Sequence, residues 1–256
     1  MEIMDTLANV LVKNGLITAF AFVGMVVWLS YLVSDKLTAG RIHGSAIAIF
    51  VGLVLAWVGG VVTEGTNGLA DVTVLSGVGV MGGAMLRDFT IVATAFGVNF
   101  DEIRRAGIGA VISLLVGVLG SFAVGAAVAY AFGYTDAVSM TTIGAGAATY
   151  IVGPVTGSAI GASSEVVALS IAAGLVKSMM VMIGTPFVAK AIGLDNAKSA
   201  MIFGGLMGTT SGVAGGLAAT DKRLVPYGAM TATFYTGLGC LLGPSVFYFT
   251  VRALVG

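Results

Sequence analysis

Lys177 stands near the middle of the apolar run from Val166 to Ile183. There a cation costs about 2.5–3.5 kcal/mol on insertion scales, and an ionisable group defaults to function. A substrate carboxylate would offset the charge; the other readings are snorkelling, or pairing with Glu165 or Asp88. Arg87 and Asp88 form a second charged point inside an apolar stretch. A guanidinium suits a bidentate grip on a carboxylate, so Arg87 reads as a substrate contact and Asp88 as an oxygen ligand for a cation. A structural ion pair or an interfacial position is the alternative for both. Glu165 is either a cation ligand or a helix N-terminal charge beside a Ser163 cap.

Hydroxyls form the rest of the candidate chemistry. The segment Met140 to Ala162 carries Thr149, Tyr150, Thr156 and Ser158, and the segment Ser199 to Thr220 carries Thr209, Thr210 and Ser211. Both are crowded with glycine, and the first contains Pro154. Glycine costs up to about 1 kcal/mol in a helix interior, and proline removes a backbone hydrogen bond. Irregular backbone at membrane depth is tolerated only where protein or a watery cavity surrounds it. Paired broken segments at matching places point to a transporter site, where half-helix N-termini face anions and unwound carbonyls face cations. Thr149, Thr156, Ser158 and Thr210 are therefore candidate substrate contacts, and Thr209 and Ser211 candidate Na⁺ ligands. The alternative is that small residues only allow close helix packing.

The segments also match each other. Gly146 falls on Gly205, Gly153 on Gly212, Gly157 on Gly216 and Gly184 on Gly243, a shift of 59, with Pro186 one position off Pro244. Residues 140–195 and 199–256 thus read as duplicated units in the C-terminal half, and 1–135 as N-terminal helices of the same membrane-embedded domain.

Composition sets the class that must hold these residues. Of 256 residues, 57% are hydrophobic, 9% are charged and 39 are glycine, with mean hydropathy +1.04. Twelve Lys and Arg balance twelve Asp and Glu, which leaves no net charge to steer a nucleic acid. The lone Cys240 forms no internal disulfide, His43 reads as solvated in a basic loop, and no cofactor motif occurs. The expected fold is an all-α polytopic membrane protein with six to eight transmembrane helices and two Gly-rich broken or re-entrant segments in an inverted repeat.

Clear spans run Gly15 to Ser34, Gly44 to Val62, Ala106 to Phe132, Val166 to Ile192 and Tyr227 to Leu254, with an interrupted stretch from Val72 to Phe100. The first span reads as retained rather than as a cleaved signal. Basic residues in the 35–43 and 101–105 connections make those cytoplasmic and put both termini outside. Six spans plus two hairpins would keep Lys190, Lys198, Lys222 and Arg223 on the cytoplasmic side; eight full crossings would leave Lys190 and Lys198 outside. The charges favour the first.

The run from SSEVVALSIAAGLVKSMMVMIGTPF through GGLMGTTSGVAGGLAATDKRLVPYGAM to GCLLGPS, with GGAMLRDFTIVATAFG upstream, resembles the MadM-type larger subunit of the sodium/malonate symporter family. The resemblance extends over the whole chain. It implies a secondary transporter in the bacterial inner membrane that moves malonate with Na⁺, and a smaller MadL-type membrane partner. No residue roles come with it. Two other classes stay open: a membrane-embedded subunit of an ion-translocating decarboxylase, and a structural partner subunit.

Overall fold

The computed structural model describes residues 2–40, 42–65, 67–82 and 100–256. Regular structure among them is helical throughout, since a chain in a bilayer must satisfy its own backbone groups. Five helices among the described residues are long and apolar enough to cross a membrane: Gly15–Leu37, Gly44–Thr63, Gly107–Ala131, Ser164–Val188 and the run Lys222–Val255. They coincide with the five clear spans of the sequence to within a few residues. The interrupted stretch after Val72 falls largely outside the described residues. The chain divides into two compact units, Met1–Ala93 and Thr94–Gly256.

The first unit holds α1 (Glu2–Lys13), α2 (Gly15–Leu37), α3 (Gly44–Thr63) and the short α4 (Gly77–Gly82). The α2–α3 connection is built from local caps. Thr38 Oγ1 donates to Ser34 O at 2.6 Å, and Ser34 Oγ donates to Ile42 O at 2.6 Å. His43 is not simply solvated: its Nδ1 accepts from Ser45 N at the start of α3, and its ring meets Tyr31 edge-on at 5.4 Å. The N-terminal residues, which the sequence left without an element, form α1 with an apolar face that includes Leu7 and Val10.

The second unit begins with α5 (Phe100–Ala131), which breaks at Gly107, where φ is +67°. Two segments then double back. In the first, α6 (Ala137–Ala148) and α7 (Val152–Ile160) flank Thr149-Tyr150-Ile151. Gly153 abuts Gly146 and Gly157 abuts Thr142, so the arms lie antiparallel. After α8 (Ser164–Val188) comes the second pair, α9 (Ala197–Met207) and α10 (Thr210–Ala218), flanking Gly208-Thr209. Gly228 of α11 (Val225–Leu242) touches Ala200 and Gly204 on one arm and Val213 and Leu217 on the other. α10 therefore returns to the level at which α9 began. The chain ends in a π-turn, Gly243–Phe247, and α12 (Tyr248–Val255).

Local chemistry starts both hairpins in the same way. The Asp136 carboxylate accepts from Ser139 N at 2.8 Å and the Asn196 side chain from Ser199 N at 3.0 Å, each supplying the first turn with an acceptor. The directions of the arms follow from contacts. α6 runs alongside α8 in the same sense, with Gly146 at Ser170 and Tyr150 at Gly174; α9 does the same with α11, with Gly204 at Gly228 and Gly208 at Tyr235. α10 runs parallel to α8, with Gly212 at Ser178 and Gly216 at Thr185. Since α10 opposes α9, the two hairpins enter from opposite ends of the unit and their tips meet in its middle.

Packing this close needs glycine at particular contacts. A Cβ on Gly204 would collide with the Gly228 carbonyl, and one on Gly228 with Leu217 and Val213. Gly237, on the same α11, has nothing near its Cβ position. Gly228→Val should lower stability by about 1–3 kcal/mol through overpacking. Gly237→Ala should leave it unchanged or raise it slightly through helix propensity. Thermal unfolding of the two variants in detergent, followed by the loss of the monodisperse peak, checks the contrast.

Candidate functional site

The tips of the two hairpins bring together residues far apart in the chain. Lys177, at the midpoint of α8, is half-buried, and its ammonium makes three hydrogen bonds. Nζ donates to the Ala148 carbonyl at 2.7 Å, to Ser121 Oγ of α5 at 2.9 Å and to Tyr235 OH of α11 at 3.3 Å. It also lies 5.1 Å from the centre of the Tyr235 ring, within cation–π range. Ala148 is the last residue of α6, so the cation sits at the negative end of a helix dipole. Among the described residues no carboxylate pairs with Lys177. Glu165 lies twelve residues back, about 18 Å along the helix, and is exposed.

Beside Lys177 runs a chain of hydroxyls. Thr209 Oγ1 donates to Ser178 Oγ at 2.9 Å; Ser178 Oγ and Ser211 Oγ are 2.8 Å apart, and Ser211 Oγ and Tyr150 OH 3.4 Å. Thr209 and Ser178 are fully buried. The cluster joins the first tip through Tyr150, the second through Thr209 and Ser211, and α8 through Ser178. Tyr235 is fully buried and donates its hydroxyl to Gly117 O at 3.1 Å. Its ring closes against Gly208, the left-handed residue (φ +70°) at which α9 ends.

The sequence candidates therefore separate by place. Thr149, 1% exposed, terminates α6 directly after Ala148. Thr209, Thr210 and Ser211 form the second tip, Thr210 being the first residue of α10. Thr156 lies deeper in α7, fully buried, with no hydrogen-bond partner for its hydroxyl among the described residues, against Gly243 of the π-turn. Ser158 is exposed near the far end of α7, away from the tips. Glu165 is exposed in the first turn of α8, where Ser163 Oγ accepts from Val166 N at 3.3 Å as the cap. Arg87 and Asp88 lie outside the described residues.

Ser121, Ser178 and Tyr235 escaped the sequence reading, because each sits in an ordinary apolar helix. For Ser178 a signal existed, since it follows Lys177 directly. No such signal marks Ser121 or Tyr235.

Chemically, the crossing of the tips presents one ammonium, several hydroxyls and the N-terminal amides of α10, all at mid-span; the first amides of α7 are taken up by the Thr149 carbonyl. Anionic oxygens are served by the ammonium and the α10 amides, and a small hard cation by hydroxyl and carbonyl oxygens. Among the described residues no cluster of three or more His, Cys, Asp or Glu side chains forms a metal site.

A family model described as the malonate/sodium symporter MadM subunit matches residues 7–255. The chain belongs to this family. No curated protein and no solved structure matches it. Membership of the MadM family makes the chain a membrane subunit of a malonate/sodium transporter, and the apolar helices are those of a multi-pass membrane protein.

The tip geometry makes one glycine decisive. In Gly208→Ala the new methyl would collide with the Tyr235 ring in a residue at φ +70°, adding overpacking to a left-handed cost of about 1–2 kcal/mol. Gly161→Ala shares the positive φ, +79°, but meets no neighbour and should incur only the left-handed cost. Melting temperatures of the two purified variants should differ, with Gly208→Ala clearly the lower.

Proposed function

We propose that this chain carries the transport site itself, coupling Na⁺ entry to malonate uptake where the two hairpin tips meet. The observation that carries the reading is the position of Lys177, an ammonium held at mid-span between the tips by neutral acceptors alone among the described residues. A malonate carboxylate is a stronger partner for an ammonium than a carbonyl or hydroxyl. Lys177 leaves the Ala148 carbonyl for one carboxylate of the substrate, and the amides of Thr210 to Gly212 add donors. Arg87 stays a candidate substrate contact on its sequence position alone.

Na⁺ takes the neighbouring hydroxyls. Thr209, Ser211 and Ser178 with tip carbonyls make an oxygen cage; Asp88 stays a candidate Na⁺ ligand on its sequence position alone. Thr149 stands between the two sites. Exposure and distance argue against a direct part for Ser158 and Glu165. Binding Na⁺ beside a dianion lowers the charge that must enter a low-dielectric site, which ties uptake to the ion gradient.

In this reading the hairpins are re-entrant and belong to an inverted repeat, which gives six spans rather than eight. Their entry from opposite ends supports this, as does a reciprocal contact: Thr156 of the first hairpin meets Gly243 beyond α11, and Gly216 of the second meets Thr185 at the end of α8. Lys190, Lys198 and Lys222 then share the cytoplasmic face of an inner membrane, and both termini lie outside. Alternating access exposes the tips to each face in turn. The smaller MadL-type membrane protein completes the working complex.

Proteoliposomes holding the chain with that partner should accumulate labelled malonate under an inward Na⁺ gradient and not under a K⁺ gradient. Lys177→Met should lower uptake about 10- to 100-fold, the worth of a charge-assisted hydrogen bond of about 1.5–3 kcal/mol, with Lys177→Arg retaining part of it. Wild-type uptake by Lys177→Met at equal protein would overturn the assignment. Ser211→Ala should instead raise the Na⁺ concentration for half-maximal uptake and leave malonate affinity at saturating Na⁺ little changed.

A further inference from the structure

A cavity of about 640 Å³ lies between the second half of α8 and the first arm of the second hairpin, with Val181, Gly184 and Val188 on one wall and Ile202, Leu206 and Met207 on the other. Its lining is almost wholly apolar. From Ser199 at one end to Met207 beside the tip it extends eight residues along α9, about 12 Å, close to one leaflet of a hydrocarbon core about 30 Å thick.

The same place in the other half of the repeat is full. Sliding both walls by the same 59 residues sets Ser199–Met207 on Met140–Ala148 of α6 and Met180–Val188 on Gly239–Phe247. There Met140, Leu238, Leu242 and Val251 pack around Phe247, whose ring stacks on Phe122 with centroids 4.0 Å apart. The chain supplies this filling because it continues past Pro244 through the π-turn into α12. Past Pro186 the helix stops: α8 ends at Val188, and the chain turns at Gly193 with φ +65°. The positions that the 59-residue shift sets on Phe247 and Val251 are Val188 and Ile192, which line the slot without closing it. Among the described residues, an apolar slot stays open beside α9.

The rim of the slot is cationic. Lys190 follows Val188 by two residues and Lys198 immediately precedes Ser199; both are exposed. The acid between them, Asp195, accepts from Asn196 Nδ2 at 2.7 Å. We propose that this slot binds an anionic phospholipid, one acyl chain lying between α8 and α9 and the phosphate engaging Lys190 and Lys198. The hydrocarbon chain fills for the second half the space that Phe247 and Val251 fill for the first. A polypeptide helix would need no paired lysines at the mouth, whereas an anionic headgroup does.

The test uses the full chain purified with its membrane partner, exchanged into nanodiscs or detergent with equal phosphatidylglycerol and phosphatidylcholine, and native mass spectrometry of the lipid retained. The wild type should retain phosphatidylglycerol preferentially. Lys190→Gln with Lys198→Gln, both at exposed positions, should reduce that preference about tenfold or more, the factor two lysines carry at an anionic surface. Leu206→Trp, which fills the slot, should lower retention of both lipids, and Leu241→Trp on the exposed face of α11 should leave it unchanged. Equal retention of the two lipids by the wild type, or an unchanged lipid complement in Leu206→Trp, would overturn the proposal. Neither readout depends on malonate uptake, so failure here and failure of the transport reading are separate results.

Discussion

The ammonium of Lys177 is the contact on which the centre of the second unit depends. A hairpin tip inside a membrane creates carbonyl groups with no helical partner, and each one left bare costs several kcal/mol. Here the last carbonyl of α6 receives a charged donor from α8, and the same nitrogen reaches α5 through Ser121 and α11 through Tyr235. One side chain thereby satisfies a broken helix end and ties four elements together at one depth. The cost of placing a cation there is offset by the dipole of α6 and by the Tyr235 ring, with no acidic partner among the described residues. A cation held by neutral groups is also one that an anion can win.

Close backbone approach is the second constraint, and it explains where glycine is used. Gly146 and Gly174 let α6 and its tip lie against α8, and Gly204 and Gly228 let α9 lie against α11. Between apolar helices in lipid there is no hydrophobic gain from contact, so packing and hydrogen bonds must hold the unit. Small residues supply the first by letting backbones meet; Tyr235, Ser178 and Thr209 supply the second. Thr141 and Thr156 stand apart, as buried hydroxyls with no hydrogen-bond partner among the described residues.

Much of this was legible in the residues. Five spans followed from hydropathy, and glycine with Pro154 marked the broken segments, because an element that must avoid a continuous helix spends its propensity visibly. Thr149, Thr209 and Ser211 stood out as hydroxyls within those segments, and Lys177 as a charge without water. What stayed hidden was pairwise. A stretch of about 20 apolar residues serves a full crossing or two arms of a hairpin equally well, and contacts between the arms such as Gly157 with Thr142 are not written along the chain. Ser121 and Tyr235 matter because of what lies opposite them, which no periodicity along α5 or α11 records. His43 failed for a simpler reason: a polar loop residue whose ring nitrogen can accept a hydrogen bond also makes a helix cap.

The two halves are alike in plan and unlike in one place. In the first, a helix passes its proline, Pro244, through a π-turn and goes on to close the space beside α6; in the second, the helix stops two residues after Pro186. Thr156 faces Gly243 across one contact, and Gly216 faces Thr185 across the other, so the hydroxyl changes sides between the halves. One hairpin is packed by side chains of the π-turn and α12, and the other is flanked by a slot. The difference arises at the two prolines, where a lost N–H already frees the backbone to end or to bulge.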